Sequence, residues 1–481
     1  MKYNPSIQEF LRTYVKAIQD SNAAIFAGAG LSRPVGYVDW KELLREVAED
    51  LQLDIDQESD LIALAQYHVN EFSGRGKINQ ILIEEFTKSV KTSRNHKILS
   101  QLPISTYWTT NYDQLIETNL EAVGKKVDKK ISSENMTYSV PGSDAIVYKM
   151  HGDSTLPHDA VLTKDDYEGY DQKREIYSTA LRGDLVSKTF LFIGFSFDDP
   201  NLSQILSRIR ILLNENKRTH YCFMKKVKVN DFNGNEDEFR YTEIKQNLKI
   251  KDLMRYGIKV LLIDDYPEIT EILSQIASLI IRKNIFVSGS ARVYGGWGEE
   301  RSLEFSTSLS KALIKNNNNI VSGFGLGIGS CIISGALEEL YSSQNNRVEQ
   351  RLKCRPFPQT TTGELSIKDL WTKYRNDMIS NVGIAVFIFG NKIDPKTNDV
   401  IDANGMVEEF NIAIDKGAIP IPLGATGFTS KVLWERVMDD FDNLVGIEVV
   451  KPLYSELGDE SKTSEELIEI VVKIINQLTK Y

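Results

Sequence analysis

Three short segments of the chain carry glycine, amide and imidazole groups at the ends of apolar runs. The first, residues 24–32 (Ala-Ile-Phe-Ala-Gly-Ala-Gly-Leu-Ser), breaks from a strand-like run into glycines, and such a turn before a helix offers backbone N–H groups to a phosphate. Residues 109–113 (Thr-Thr-Asn-Tyr-Asp) and 151–153 (His-Gly-Asp) each follow another such run. An amide and a neutral imidazole at two strand ends can orient a substrate and accept a proton without a pair of carboxylates. Asn111 and His151 are therefore candidates for chemistry.

In chain order, the patterns Gly-Ala-Gly-x-Ser, Thr-x-Asn-x-Asp and His-Gly resemble the motifs of the sirtuin family. Residues 190–199 (Phe-Leu-Phe-Ile-Gly-Phe-Ser-Phe-Asp-Asp) are similar to that family's later Gly-x-Ser strand end. The resemblance implies a Rossmann-like core that binds NAD. It also implies a small helical subdomain between the first two motifs, where residues 40–100 show helical spacing of apolar side chains.

The resemblance also implies roles for individual residues. Asn111 would hold the ribose and an attacking water, and His151 would act as a base towards ribose hydroxyls. Ser196 and Asp198 would line the adenosine end, while Arg33 would meet phosphate or carboxamide oxygens or be an ordinary surface arginine. The full set of expected NAD contacts is Ala27, Gly28, Ala29, Ser32, Arg33, Asp113, Gly194, Ser196 and Asp198.

The cysteine content bears on the reaction. The chain has three widely spaced cysteines, Cys222, Cys331 and Cys354, and no Cys-x-x-Cys pair, so neither a disulfide framework nor a structural zinc site is predicted. Sirtuin deacylases typically carry a four-cysteine zinc ribbon, and without it a groove for an acyl-lysine peptide has little support. We therefore expect water to take the acceptor's place, so that NAD is hydrolysed to nicotinamide and ADP-ribose with no metal.

Charge and hydropathy exclude some classes of function. The net charge of −10 argues against a general nucleic-acid binder, which needs a basic face. The first residues form no apolar signal region and no window approaches the length of a membrane span. We expect a cytoplasmic protein that binds neither nucleic acid nor membrane.

Apolar spacing predicts the elements that must position these segments. Residues 6–20 and 202–213 show helical stripes, residues 23–27 form a buried strand, and the polar stretch 228–240 is expected to be a loop. After residues 282–284, strands and helices alternate again, which favours a second parallel sheet. The predicted domains are residues 1–283 and 284–481.

The second domain carries its own small-residue turns. Residues 288–290 (Ser-Gly-Ser), the glycine-rich loop 323–329 and residues 405–410 (Gly-Met-Val-Glu-Glu-Phe) resemble motifs of the SLOG family. Together the two domains resemble the Thoeris antiphage effectors along nearly the whole chain. The predicted fold is α/β, with two Rossmann-like parallel-sheet domains, the first sirtuin-like with a helical insertion and the second a SLOG domain.

The likeness to Thoeris effectors implies a regulated enzyme. In that family a cyclic ADP-ribose isomer, made by a partner TIR-domain protein, binds the SLOG domain. Binding switches on NAD hydrolysis, which depletes the infected cell of NAD. It also implies a homo-oligomer, a tetramer by resemblance. Gating of this kind needs a bistable interface.

Candidate contacts to the activator combine small residues with charge. Arg375 and Lys392 supply positive charge for a pyrophosphate, although each also fits a surface or salt-bridge role. A carboxylate at 408 or 409 suits ribose hydroxyls. The full set is Ser288, Gly289, Ser290, Phe324, Gly325, Arg375, Lys392, Glu408 and Glu409.

Three alternatives stay open at this point. The first is a sirtuin-type deacylase or ADP-ribosyltransferase with a protein substrate, against which the missing cysteine ribbon counts. The second is a non-catalytic sensor of NAD metabolites, against which the intact Asn111 and His151 count. The third is a second, nucleotide-cleaving site in the SLOG domain, whose relatives' arginine pattern this chain does not reproduce closely.

Overall fold

The structure is a computed structural model that describes residues 3–197, 199–213, 217–342, 348–394 and 396–480. The chain divides into two compact units, Met1–Ala277 and Ser278–Tyr481. The domain boundary expected after residue 283 stays a prediction.

The first unit alternates strands with helices. Its strands are β1 (Ala23–Ala27), β2 (Thr106–Thr109), β3 (Val127–Lys130), β4 (Ala145–Lys149), β5 (Thr189–Ile193), β6 (His220–Lys225) and β7 (Ile258–Ile263). The helices that begin in it are α1 (Pro5–Gln19), α2 (Ala29–Ser32), α3 (Trp40–Leu43), α4 (Arg45–Asp50), α5 (Leu61–Glu71), α6 (Gly76–Phe86), α7 (Arg94–Gln101), α8 (Leu115–Ala122), α9 (Lys164–Glu168), α10 (Tyr170–Lys173), α11 (Glu175–Ser187), α12 (Pro200–Leu213), α13 (Glu236–Arg255) and α14 (Pro267–Ile281).

A parallel sheet organises this unit, with the described strands in the order β3-β4-β2-β1-β5-β6-β7. Strand β1 is buried along its whole length, as a continuous apolar strand with helices on both faces should be. It pairs with β2 on one side and β5 on the other. The strand order reverses at β1, and open α/β sheets bind ligands beside the carboxyl ends of strands at such a switch point.

Helix α1 confirms the expected helix at residues 6–20. The Asn4 side chain accepts a hydrogen bond from the Ile7 N–H at 3.0 Å, and Pro5 occupies the first turn, where its missing N–H costs nothing. The hydroxyl of Tyr14 donates to the carbonyl of Ala24 at 2.9 Å. This contact fixes the helix against the strand that leads into the glycine segment.

The helical insertion lies between the first two motifs, as predicted. Helices α3 to α6 build a separate apolar core that includes Leu44, Val47, Leu64 and Leu82. Tyr112, from the second motif, also belongs to this core. The insertion therefore packs directly against the segment that carries Asn111.

One local prediction was wrong. Residues 236–240 belong to helix α13 and not to a loop. The Asn235 side chain accepts from the Glu238 N–H at 3.3 Å, and the acidic residues that looked like loop composition fill the first turn of the helix, where they oppose the positive end of its dipole.

The second unit has a smaller parallel sheet. Its strands are β8 (Asn284–Ser290), β9 (Asn319–Ser322), β10 (Leu352–Cys354), β11 (Ile384–Phe389), β12 (Asn391–Ile393), β13 (Val400–Asp402) and β14 (Ile419–Pro422). Its helices are α15 (Glu299–Lys315), α16 (Gly329–Ser342), α17 (Val348–Arg351), α18 (Ile367–Ile379), α19 (Asn404–Asp415), α20 (Phe428–Asp439), α21 (Phe441–Leu444), α22 (Lys451–Glu456) and α23 (Ser464–Leu478).

The described strands of the second sheet follow the order β10-β9-β8-β11-β14, and β12 and β13 form an antiparallel hairpin. The order again reverses at the first strand, β8. Two parallel-sheet units, the first with a helical insertion, confirm the predicted α/β fold. Over the described residues, no helix combines the length and the apolar character needed to cross a membrane.

Candidate functional site

A cavity of about 1180 Å³ opens at the carboxyl edge of the first sheet. Its lining includes both candidate catalytic residues, Asn111 and His151. It also includes six of the expected NAD contacts, Ala29, Ser32, Arg33, Asp113, Gly194 and Ser196. Two others lie behind this lining. Ala27 is the buried last residue of β1, and the Gly28 N–H donates to the carbonyl of Ile193 at 3.0 Å. Asp198 lies outside the described residues.

The glycines let two loops approach each other closely. The N–H of Gly30 donates to the carbonyl of Gly194 at 2.9 Å. A Cβ on Gly28 would lie 2.5 Å from the Gly194 carbonyl oxygen, and a Cβ on Gly194, whose φ is +64°, would lie 2.2 Å from the Leu31 nitrogen. Since the Gly28 and Gly30 N–H groups already have partners, the glycine motif builds the floor of the cavity, where only glycine fits.

Asn111 is held with one polar atom unused. Its Nδ2 donates to the carbonyl of Gly28 at 3.1 Å and to Ser32 Oγ at 3.2 Å, and its backbone N–H donates to Thr109 Oγ1 at 2.9 Å. Its Oδ1 is buried and has no hydrogen-bond partner. A buried acceptor without a partner is costly, so this oxygen is suited to accept a hydrogen bond from a hydroxyl or a water of a bound ligand.

His151 faces an aspartate that the sequence analysis did not single out. Its Nε2 lies 3.1 Å from Oδ2 of Asp199, and His151 is 3 % exposed. The hydroxyl of Tyr167 donates to the same oxygen at 3.3 Å, and the Leu202 N–H donates to Oδ1 at 2.8 Å. Burial would raise the pKa of Asp199, but the nearby His151 ring and these hydrogen bonds hold it below its usual value. The sequence signal was the Asp-Pro pair that opens α12.

Buried phenols surround the imidazole. The rings of His151 and Tyr167 lie 5.6 Å apart between centroids in an edge-on arrangement. The ring of Tyr170 lies 6.5 Å from that of His151 between centroids. Burial raises the pKa of Tyr167 and of Tyr170, so both stay neutral. They supply apolar surface and hydrogen-bonding hydroxyls without adding charge beside His151.

The other expected NAD contacts differ in exposure and partners. Arg33 is 67 % exposed and lies 3.3 Å from Asp39. Asp113 is buried, and its Oδ1 accepts from the Leu115 N–H at 2.9 Å at the start of α8. Ser196 is exposed. The cavity therefore combines one deep end, with Asn111 and His151, and a more open rim.

In the second unit the structure joins four of the expected activator contacts. Ser288 Oγ donates to Glu409 Oε2 at 2.6 Å, and Arg375 Nε donates to Glu409 Oε1 at 3.3 Å. Arg375 also donates to Glu408 Oε2 at 2.6 Å. Both carboxylates thus share one guanidinium, and burial raises the pKa of Glu409. A Cβ on Gly405 would lie 2.7 Å from the Arg375 guanidinium, which explains the glycine of that motif.

The remaining activator contacts lie at the end of β8 (Gly289 and Ser290), on the loop after β9 (Phe324 and Gly325) and on β12 (Lys392). A Cβ on Gly325 would lie 1.8 Å from the carbonyl oxygen of Gly289, so the glycine at 325 permits the loop after β9 to approach the end of β8 closely. Phe324 has a φ of +59° and is half exposed, and Ser290 Oγ donates to the carbonyl of Asn391 at 3.2 Å. Lys392 lies on the β12–β13 hairpin and is not a partner in the Arg375 cluster.

Among the described residues, no group of three or more His, Cys, Asp or Glu side chains is arranged to hold a metal ion. The polar groups at the deep end of the cavity include the Asn111 amide, the His151 imidazole and the Asp199 carboxylate. Such groups can bind and orient an uncharged ribose and move a proton.

Known proteins resemble this chain along its whole length. Residues 105–250 match the family described as SIR2-like domain, and residues 268–478 match the Sir2- and TIR-associating SLOG family. A relative named NAD(+) hydrolase ThsA from Bacillus cereus (strain MSX-D12) is 47% identical over 482 residues, covering 100% of both chains.

Two further relatives carry the same name. The protein from Cytobacillus dafuensis is 46% identical and covers 97% of this chain and 96% of its own. The protein from Acinetobacter baumannii (strain 532279) is 48% identical and covers 89% of this chain and 90% of its own. With this identity over nearly the whole length, and with SIR2-like and SLOG regions in the same order, the chain belongs to the ThsA family of NAD(+) hydrolases.

Proposed function

We propose that the first unit hydrolyses NAD⁺ to nicotinamide and ADP-ribose, with Asn111 and His151 as the catalytic residues. The observation that carries this proposal is the unpartnered Oδ1 of Asn111 in the cavity that also holds His151. The names of the full-length relatives support the same reaction.

The reaction balances without a further reactant. The bond between ribose C1′ and the nicotinamide nitrogen breaks, and its electron pair stays on nicotinamide. Asn111 Oδ1 accepts a hydrogen bond from a ribose hydroxyl or from the incoming water. The oxygen of this water then bonds to C1′. His151 accepts the proton that is released and passes it to solvent. Positioning of the water and general-base assistance each lower the barrier to such a displacement.

We propose that the second unit regulates this activity. Its ligand would be a cyclic ADP-ribose isomer made by a partner TIR-domain protein, and binding would switch on NAD depletion in phage-infected bacteria, as in Thoeris defence. The match to a Sir2- and TIR-associating SLOG family supports a link with TIR proteins. The cluster of Ser288, Arg375, Glu408 and Glu409 supplies groups for phosphate and ribose.

The cellular setting of the proposal follows from the same likeness. We propose a cytoplasmic homo-oligomer, a tetramer, in which binding at the second unit changes an interface. A sirtuin-type deacylase, an ADP-ribosyltransferase and a non-catalytic sensor are the alternatives, and no contact of the described residues favours any of them.

The test of the hydrolase is product analysis with purified full-length protein, carried out with and without cyclic ADP-ribose isomers. Equal amounts of nicotinamide and ADP-ribose should form from NAD⁺, and both should disappear in Asn111→Ala and in His151→Ala. His158→Ala is the matched control, because His158 is exposed and lies in a separate short turn. Nicotinamide without free ADP-ribose would indicate transfer to an acceptor, and equal turnover in all variants would exclude these catalytic roles.

A further inference from the structure

A buried ion cluster lies directly behind the two catalytic segments. Lys149 Nζ is 2.6 Å from Asp153 Oδ2 and 3.3 Å from Glu117 Oε1. All three side chains are at most 2 % exposed. Lys149 is the last residue of β4, two residues before His151, and Asp153 follows His151 by two residues.

The cluster also reaches the segment that carries Asn111. Lys149 Nζ donates to the backbone carbonyl of Asp113, and Glu117 lies on α8, which begins just after that residue. Gln114 Nε2 donates to Asp153 Oδ1 at 3.1 Å. The ion cluster therefore connects residues 110–114, which follow β2, with residues 150–155, which follow β4.

Backbone contacts complete the connection between the two segments. The Ser154 N–H donates to the carbonyl of Tyr112 at 3.1 Å. Asp153 Oδ1 also accepts from the Thr155 N–H at 2.9 Å and from its hydroxyl at 2.8 Å. The orientation of Asp153 is thereby fixed, and with it the turn that presents His151.

Charge balance argues against a role in stability alone. Burial would lower the pKa of Lys149, but Glu117 and Asp153 raise it, so the amine stays protonated. One ammonium group faces two buried carboxyl groups, and burial raises the pKa of Glu117. Buried ion clusters are costly to desolvate, and apolar replacements are often as stable. A buried ion cluster that bridges the two segments is better explained by what it positions.

We infer that Lys149, with Glu117 and Asp153, is a positioning group that holds the Asn111 and His151 segments in register for NAD hydrolysis. The expected effect on kcat rests on the proposed function. The expected effect on the order of the two segments rests only on the contacts above. None of the three side chains lines the cavity, so they act through the backbone of the two segments and do not touch the substrate.

The experiment compares Lys149→Met with Lys130→Met in the full-length protein. Lys130 is an equally suitable lysine for comparison, since it is 4 % exposed, lies 3.0 Å from buried Asp128 and belongs to β3, away from the cavity lining. We expect Lys149→Met to lower kcat by roughly 100-fold with KM changed by less than about threefold. Lys130→Met should leave kcat within about threefold of the wild type.

A second readout does not depend on turnover. Amide hydrogen exchange should speed up in residues 110–114 and 150–155 of Lys149→Met, and not in those segments of Lys130→Met. Glu117→Gln keeps the shape and removes one charge, so it should show the same pattern more weakly. If Lys149→Met does not fold, Glu117→Gln against Lys130→Met decides the question.

The outcomes separate the two proposals. A wild-type protein without NAD turnover, both with and without the cyclic ADP-ribose isomers, would remove the proposed function, while the exchange measurement would still decide the inference. Turnover in the wild type, with unchanged exchange in both segments and with kcat losses no larger than in Lys130→Met, would overturn the positioning role.

Discussion

His151 Nε2 and Asp199 Oδ2 lie 3.1 Å apart in the cavity of the first unit. His151 follows β4, whereas Asp199 precedes α12, so the contact forms only when the sheet is assembled. The carboxylate is also anchored by the Leu202 N–H and the Tyr167 hydroxyl. A carboxylate held in this way fixes the orientation of the ring and faces the positive charge that the ring gains when it accepts a proton.

We predict that Asp199→Asn lowers kcat by roughly tenfold with a small change in KM. The amide keeps the shape and an acceptor for the Leu202 N–H, but it removes the charge that faces His151. Steady-state kinetics across pH 5–9 would measure both kcat and the pH at which turnover is half maximal. Asp171→Asn is the control, since Asp171 is exposed and forms a surface ion pair with Arg208 at 3.6 Å. An unchanged kcat and pH profile in Asp199→Asn would show that the carboxylate does not assist His151.

We predict that Gly194→Ala destabilises the first unit by more than about 1 kcal/mol and lowers NAD turnover. The new Cβ would lie 2.2 Å from the Leu31 nitrogen at a backbone φ of +64°, so the floor of the cavity must shift. Gly183→Ala is the matched change, because a Cβ at this position in α11 meets nothing within 4 Å and alanine favours helix. Thermal unfolding of both variants is the measurement, and equal midpoints would contradict the prediction.

We predict that Asp166→Asn destabilises the protein at pH 7 and that this difference shrinks under acid conditions. Burial would raise the pKa of Asp166, but Arg75, at 2.6 Å, and hydrogen bonds from residues 162 and 163 lower it. A lowered folded-state pKa gives stability that is complete above the unfolded value of about 3.9 and is lost as pH falls towards the folded value. Unfolding midpoints at pH 7 and near pH 3 test this, and a difference that does not depend on pH would contradict it.

We predict that Arg375→Ala weakens binding of the proposed activator, a cyclic ADP-ribose isomer, by at least roughly tenfold. The substitution leaves Glu408 and Glu409 without their shared cation, and two carboxylates repel a pyrophosphate. Arg355→Ala is the control, because Arg355 pairs with the exposed Asp377. Calorimetric titration of the isomer into each variant measures the effect. Equal affinity in both variants would place the activator elsewhere.

The strands and helices that carry the site were largely predictable from the sequence. Parallel strands that are buried on both faces are continuous apolar runs. The strand at residues 23–27 could therefore be recognised directly, and it matches β1 (Ala23–Ala27). The stripe at 6–20 matches α1 (Pro5–Gln19) because its apolar residues recur at helical spacing. The glycine, asparagine and histidine motifs then follow at the strand ends.

The contacts between those motifs could not be predicted. Lys149 reads as one charged residue at a strand end, and nothing in its neighbours shows that Glu117 and Asp153 meet it in the interior. The Asp-Pro pair at the start of α12 is the sequence signal for Asp199, but the place of Asp199 beside His151 depends on the order of strands in the sheet. Likewise, the sequence left open whether Glu408 or Glu409 contacts the ligand, and it did not show that Arg375 contacts both carboxylates.

NAD consumption by the purified full-length protein, with and without a panel of cyclic ADP-ribose isomers, tests the central claim most directly. We predict that one isomer raises nicotinamide release well above the unstimulated rate and that Asn111→Ala abolishes release under every condition. Release that is equally fast without any isomer would contradict the gating. Absence of release from the wild type with every isomer would contradict the hydrolase itself.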